Sequence, residues 1–140
     1  MGYKINKCLV TGCGGFIGSY LAEFLLAEGV AVYGTVYRDT RKIEHLKDVM
    51  SILNCDVRKN TQVNEIVDEV QPDAVFHLAA QSLIAQSRKE PEITLTTNLL
   101  GTLYLLEAIR RARIDAVVVV VGSSSEYGLG YENEIPIKEN

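Results

Sequence analysis

Thr11-Gly12-Cys13-Gly14-Gly15-Phe16-Ile17-Gly18 is the stretch whose reading decides the fold. Before it, Lys7-Cys8-Leu9-Val10-Thr11 has the composition of a buried strand. After it, Phe16, Ile17, Tyr20, Leu21, Phe24 and Leu25 recur at helical spacing until Gly29 stops them. A strand that passes through glycines 12, 15 and 18 into a helix opens a βαβ unit. The first glycine permits the tight turn, the second removes a Cβ where a pyrophosphate would approach, and the third lets helix and strand pack closely. Unpaired N–H groups and the dipole at the helix start then stabilise the anion. A glycine-rich turn can also exist without a ligand. The strand before and helix after favour nucleotide binding, with contacts expected from Gly12, Gly15, Phe16, Ile17 and Gly18.

Working outward, strand-like and helical runs alternate. Residues 30–36 read as a second strand and residues 50–53 as a third, with a polar segment and a short helix near 43–46 between them. Thr61 is a cap residue for a helix through Val70. Residues 74–78 form a fourth strand and 117–121 a fifth. One long helix is expected over most of 91–113, where Leu95, Leu99, Leu103 and Leu106 keep a helical period and Arg110, Arg111 and Arg113 suit its C-terminal turn. Strands joined by crossover helices give a parallel sheet. The predicted fold is therefore α/β, a Rossmann-type doubly wound sheet of five strands in the order 3-2-1-4-5 with flanking helices, forming one domain over residues 1–140. The apolar runs 74–78 and 116–121 are expected to be buried on both faces. The tail 128–140 is polar and shows no further element.

Composition narrows the function. The 140 residues are 47% hydrophobic and 23% charged, with a net charge of −4. A mildly acidic chain without basic clusters argues against nucleic-acid or anionic-membrane partners. Cys8, Cys13 and Cys55 have neither metal-site spacing nor the pattern of a disulfide framework, which fits reduced thiols in the cytoplasm and no bound metal. The N-terminus does not read as a signal peptide, and the longest apolar run, 116–121, is too short to span a bilayer.

Chemistry-bearing residues cluster where the strands end. After strand two, the position expected for a ribose-binding acid is Val36, and Arg38 follows. Arginine suits a 2′-phosphate and hence NADP. The alternative is a solvated Arg38 with Asp39 as the acid, and hence NAD. Asp56 and Val57 follow strand three, where the carboxylate can accept from an adenine amino group or merely cap a turn. His77 reads as a packed strand histidine. Leu78, Ala79, Ala80, Gln81 and Ser82 leave strand four at the edge where open α/β sheets bind ligands. Ser123, Ser124, Ser125 and Glu126 follow strand five. They can polarise a substrate oxygen and move a proton, or form a hydroxyl-rich turn that caps its own backbone.

Three stretches together resemble a known family: TGCGGFIGSYLAEFLLAEG, then RKIEHLKDV behind VYGTVYR, then EVQPDAVFHLAAQSLIAQSRKEPEITLTTNLLGTLYLLEAIR. They resemble the extended short-chain dehydrogenase/reductases acting on nucleotide sugars, and most of all the GDP-mannose 4,6-dehydratase branch. The likeness covers residues 7 to about 128. It implies that Gly12, Gly15 and Gly18 hold the pyrophosphate, Arg38 the 2′-phosphate, and Asp56 and Val57 the adenine. It also implies that Ala79, Ala80 and Gln81 line the cofactor, that Ser82, Ser124 and Ser125 face the sugar nucleotide, and that Asn98 braces the long helix. Ser124 matches the catalytic Ser/Thr and Glu126 the glutamate that abstracts the sugar C5 proton.

Two departures qualify the match. Ser-Glu-Tyr-Gly is one residue shorter than the dehydratase spacing, which keeps a 4-epimerase or a 4-ketosugar reductase open. The family's catalytic Tyr-x-x-x-Lys is expected some 20 residues beyond Tyr127, whereas positions four beyond Tyr127 and Tyr131 hold Tyr131 and Ile135. The expectation is thus the NADP-binding part of a nucleotide-sugar dehydratase, inactive as 140 residues alone and forming homo-oligomers. A non-catalytic nucleotide-binding module is the alternative of another class.

Overall fold

The computed structural model describes residues 4–128; the predicted featureless tail lies almost wholly outside them. Five parallel strands, β1 (Lys7–Thr11), β2 (Ala31–Val36), β3 (Ser51–Asn54), β4 (Ala74–His77) and β5 (Val117–Val120), form one sheet in the order β3-β2-β1-β4-β5. That is the order read from the sequence. Helix α1 (Phe16–Ala27) follows β1, and α2 (Asn60–Val70) links β3 to β4. A short helix α3 (Ile84–Lys89), absent from the sequence reading, precedes the long helix. The long helix runs unbroken from Pro91 to Ala112, as α4 (Pro91–Leu95), a π-helical turn (Thr96–Leu100) and α5 (Gly101–Ala112).

The two faces of the sheet carry two cores. Alternation along β1 sends Cys8 and Val10 to one face and Leu9 to the other. Cys8 and Val10 join Ala22 and Leu25 of α1 with Val32, Val36, Ile43 and Met50. Leu9 joins Val63, Ile66 and Val67 of α2 with Leu105, Ala108 and Ile109 of α5.

Two rows of helical period prove to lie largely outside the core, and one expectation of burial is corrected. Helix α1 turns only part of its apolar row inward: its buried side is Gly18, Ser19, Ala22 and Leu25, with Leu21 and Leu26 packed against that core, while Phe16, Tyr20 and Phe24 are exposed, Phe24 by 60%. The reason is close packing, since a Cβ on Gly18 would lie 2.5 Å from the Gly12 carbonyl oxygen. At that first turn no side chain fits the approach. Likewise α5 buries Leu105 to 2% exposure, but the row Leu95, Leu99, Leu103 and Leu106 faces outward. And β5 is not buried on both faces: Val117, Val119 and Val120 are exposed, because among the described residues it pairs only with β4. A smaller correction concerns α2, which starts at Asn60 with Lys59 before it and no side-chain cap, so Thr61 is not its cap.

Candidate functional site

A cleft of about 1180 Å³ opens at the carboxyl edge of the sheet, where the turns after β1, β2, β3 and β4 converge. Gly12, Gly15, Phe16, Ile17 and Gly18 line it from β1 and α1. Arg38 lines it after β2, Asp56 and Val57 after β3, and Leu78, Ala79, Ala80, Gln81 and Ser82 after β4. Asn98 reaches it from the long helix.

The phosphate turn is locked by its own backbone. Gly12 has φ +69°, and a side chain there would meet the Ala79 amide nitrogen at 2.8 Å. The Cys13 N–H donates to the Thr35 carbonyl, the Gly15 N–H to Gly12 and the Ser19 N–H to Gly15. The first helical bond thus begins at Ser19, leaving the amides of Phe16, Ile17 and Gly18 without an intrahelical acceptor. No acidic residue occupies this first turn and no side chain caps it. An added Cβ on Gly15 would meet only the Gly12 oxygen, at 3.1 Å. A pyrophosphate fits this cradle by donor geometry, by charge and by room. Gly14, to which no role was given from the sequence, sits so close to the Asp39 carbonyl that no side chain is possible.

The turns after β2 and β3 meet at Tyr37. Two guanidinium groups contact its ring, with the carbon of Arg38 4.6 Å and that of Arg58 5.2 Å from the centroid. Its hydroxyl accepts from both, at 2.9 and 2.8 Å. Arg58 also donates to Asp56 bidentately, at 2.8 and 2.7 Å. That pairing holds the Asp56 carboxyl below its ordinary pKa. Oδ2 of Asp56 accepts one of these bonds and has capacity for a second. Both oxygens of Asp39 are taken by Arg41, whose hydrogen bonds lower the Asp39 pKa to about 2. Sequence reasoning missed Arg58 and Tyr37. The available signal was a basic residue two positions after an Asp at a strand end.

At the end of β4, His77 is buried, and burial lowers its pKa. Nδ1 lies 2.7 Å from Thr11 Oγ1 and Nε2 3.1 Å from Thr102 Oγ1. This is the packed, hydrogen-bonded strand histidine read from the sequence. Asn98 sits in the π-helical turn, an irregularity common at functional sites. Its Oδ1 accepts from the Gln81 N–H at 2.8 Å and its Nδ2 donates to the Gln81 carbonyl at 3.1 Å.

The hydroxyl-rich segment behaves differently. Val121, Gly122 and Ser123 line the cleft, but Ser124, Ser125 and Glu126 lie just past it in a 3₁₀ turn, Ser124–Tyr127. Ser123 Oγ accepts from the Ser125 N–H, so this hydroxyl caps its own turn.

A doubly wound parallel sheet with a glycine phosphate turn after β1 and a cleft at its carboxyl edge defines a Rossmann-type nucleotide-binding domain. Within that class, the chain belongs to the GDP-mannose 4,6-dehydratase family, whose sequence profile matches residues 9–140. The GDP-mannose 4,6-dehydratase of Vibrio cholerae is 37% identical over 145 residues, covering 96% of this chain and 39% of the relative. Human GDP-mannose 4,6 dehydratase is 38% identical over 152 residues, covering 99% and 41%. UDP-glucose 4-epimerase from Brucella ovis, solved in complex with NAD, matches with TM-score 0.82 at 28% identity, covering 96% of this chain and 40% of that one. The chain thus spans about 40% of the length of the curated relatives it matches.

Proposed function

We propose that this chain is the NADP-binding part of a nucleotide-sugar 4,6-dehydratase that converts GDP-mannose to GDP-4-keto-6-deoxymannose. The observation that carries the reading is the phosphate turn: a cradle without side chains, three helix-start amides free of helical partners, and no competing carboxylate. Bound NADP supplies a hydride acceptor at sugar C4 and, once reduced, the hydride returned to C6. The chain's own groups bind and orient. Gly12, Gly15 and Gly18 admit the pyrophosphate, with Phe16 and Ile17 at the helix start. Asp56 and Val57 take the adenine, and Leu78, Ala79, Ala80 and Gln81 form the wall along the dinucleotide. Ser82 and Ser125 face the sugar nucleotide, Ser124 steadies the C4 oxygen, and Glu126 accepts the C5 proton as water is lost across C5 and C6.

NADP is preferred over NAD because β2 ends at Val36 without a carboxylate, Asp39 is already paired with Arg41, and Arg38 and Arg58 flank Tyr37. Residues 1–140 form one nucleotide-binding domain, and by themselves they bind cofactor without turnover. The outward leucine row and the β5 valines are the surface through which copies associate. Sedimentation at increasing concentration tests this, and a clean monomer throughout counts against it.

The second reading is a 4-epimerase. It draws on the shortened Ser-Glu-Tyr-Gly spacing and on solved neighbours that are UDP-glucose 4-epimerases. Incubating the full-length gene product with GDP-mannose and NADP separates the two. A 4-keto-6-deoxy product supports the dehydratase, whereas interconversion of C4 epimers alone rejects it. A non-catalytic nucleotide-binding module predicts neither.

A further inference from the structure

The hydrogen bonds of Thr102 put a donor on Nε2 of His77. Thr102 donates its single hydroxyl proton to the Asn98 carbonyl, 2.7 Å away, so it can only accept from His77 Nε2. Thr11 Oγ1 accepts from the Ala79 amide at 3.2 Å and shares the Leu78 N–H, also 3.2 Å away, with the Thr11 carbonyl, and its own proton is free to point to His77 Nδ1. The imidazole is therefore neutral, with its hydrogen on Nε2. The same chain of bonds continues through Asn98, whose side chain holds both backbone groups of Gln81. Thr11 directly precedes the phosphate turn, and Gln81 lines the same cleft after β4.

We propose that His77 is a positioning residue for the nucleotide cleft: as the Nε2–H tautomer it clamps the phosphate turn, the end of β4 and the long helix at one spacing. The proposal rests on the cleft being a dinucleotide site. Protonation would turn Nδ1 from an acceptor into a donor facing the Thr11 hydroxyl, whose own proton would lose its acceptor, and the clamp would loosen. No charged side chain of the neighbouring elements acts on the ring. Lys7, at the far end of β1, donates to the Val70 carbonyl, and Val117–Val120 carry no charge. On the long helix Glu107 pairs with Arg110, Arg111 with Asp68, and Glu92 lies out on α4. Burial alone shifts the ring.

The chain has two histidines, His45 exposed and His77 buried, so ¹⁵N-histidine NMR of the 140-residue chain resolves them. The expected spectrum at neutral pH shows His77 protonated on Nε2 only. A proton on Nδ1, or an imidazolium, overturns the proposal. The functional arm is titration with NADP. Thr102→Val, which keeps the side-chain shape, should weaken binding roughly ten-fold, the equivalent of one hydrogen bond, and shift the Gln81 amide resonance. His77→Gln, which retains a donor toward Thr102, should keep more affinity than His77→Leu. Unchanged affinity with an unmoved Gln81 amide in Thr102→Val overturns the clamp. If the wild-type chain binds no dinucleotide, the nucleotide reading fails separately, and the tautomer and the Gln81 amide still decide the clamp.

Discussion

The turn after β1 and the turn after β5 both leave parallel strands at the same edge of the sheet, yet they are built differently. The first lies under the cover of β2, β4 and α1, and its glycines are forced by backbone contacts: Gly12 against Ala79, Gly18 against Gly12 and Cys13. The second follows a strand with one described neighbour, is exposed, and is held by two backbone bonds of its own turn and one hydroxyl cap. The half of the cleft assigned to the dinucleotide is thus set by packing from both sides. The half assigned to the sugar chemistry is set by local bonds within its own turn. Preorganisation comes from the number of elements converging on a segment, and a segment at the sheet edge has few.

The sharpest break of this contrast is Gly12→Val. Positive φ and a 2.8 Å clash with backbone leave no relaxed conformation, so about 3 kcal/mol or more of stability should be lost. Dinucleotide binding should be lost with it. The denaturant midpoint and a cofactor titration measure the two. A stable, binding-competent variant would show that the turn is not locked.

Two leucines on α5 come next. Leu105→Ala empties a core position and should cost about 2–5 kcal/mol. Leu103→Ala, on the exposed side of the same helix, should change stability by no more than about 0.5 kcal/mol. Equal losses in parallel urea melts would mean that the outer leucine row is covered in solution.

Arg38→Ala should weaken NADP by roughly 1.5–3 kcal/mol, the range for a hydrogen bond to a charged group, and leave NAD almost unchanged. Calorimetry with both cofactors decides, and equal losses would reduce Arg38 to a surface residue.

Acid should act through His77. Its folded pKa lies below the ordinary histidine value of 6.5 because burial disfavours the charged ring. The unfolded chain therefore takes up the proton first. Stability should fall as pH drops through about 6.5 and go on falling until the folded imidazole itself protonates. His77→Gln should remove that component of the pH dependence, read from melting temperatures across pH 5–8.

The smallest effect belongs to the exposed turn. Ser123→Ala removes one cap bond and should cost less than about 1 kcal/mol. A larger loss in the denaturant midpoint would show that this turn is as firmly held as the one after β1.

The strand order, the sheet topology and the position of the phosphate turn were legible in the chain itself, whereas helix α3 was not. Alternation, helical period and glycine spacing are local signals, and each arises within a few residues. The sequence also carried the residues that the sheet gathers at the carboxyl edge, because strand ends in a parallel sheet lie side by side. Tertiary structure alone decided which apolar rows are buried. Phe16, Tyr20 and Phe24 have the spacing of a core face, but α1 approaches the sheet too closely to turn that side inward. The leucines at 95, 99, 103 and 106 likewise point away, because Gly101, Leu105, Ala108 and Ile109 take the inner side. Tertiary structure also placed Arg58 beside Tyr37, 21 residues apart in the chain, and joined Thr11, His77, Thr102 and Asn98 into one chain of bonds. Such pairings depend on distances between elements, which no local pattern contains.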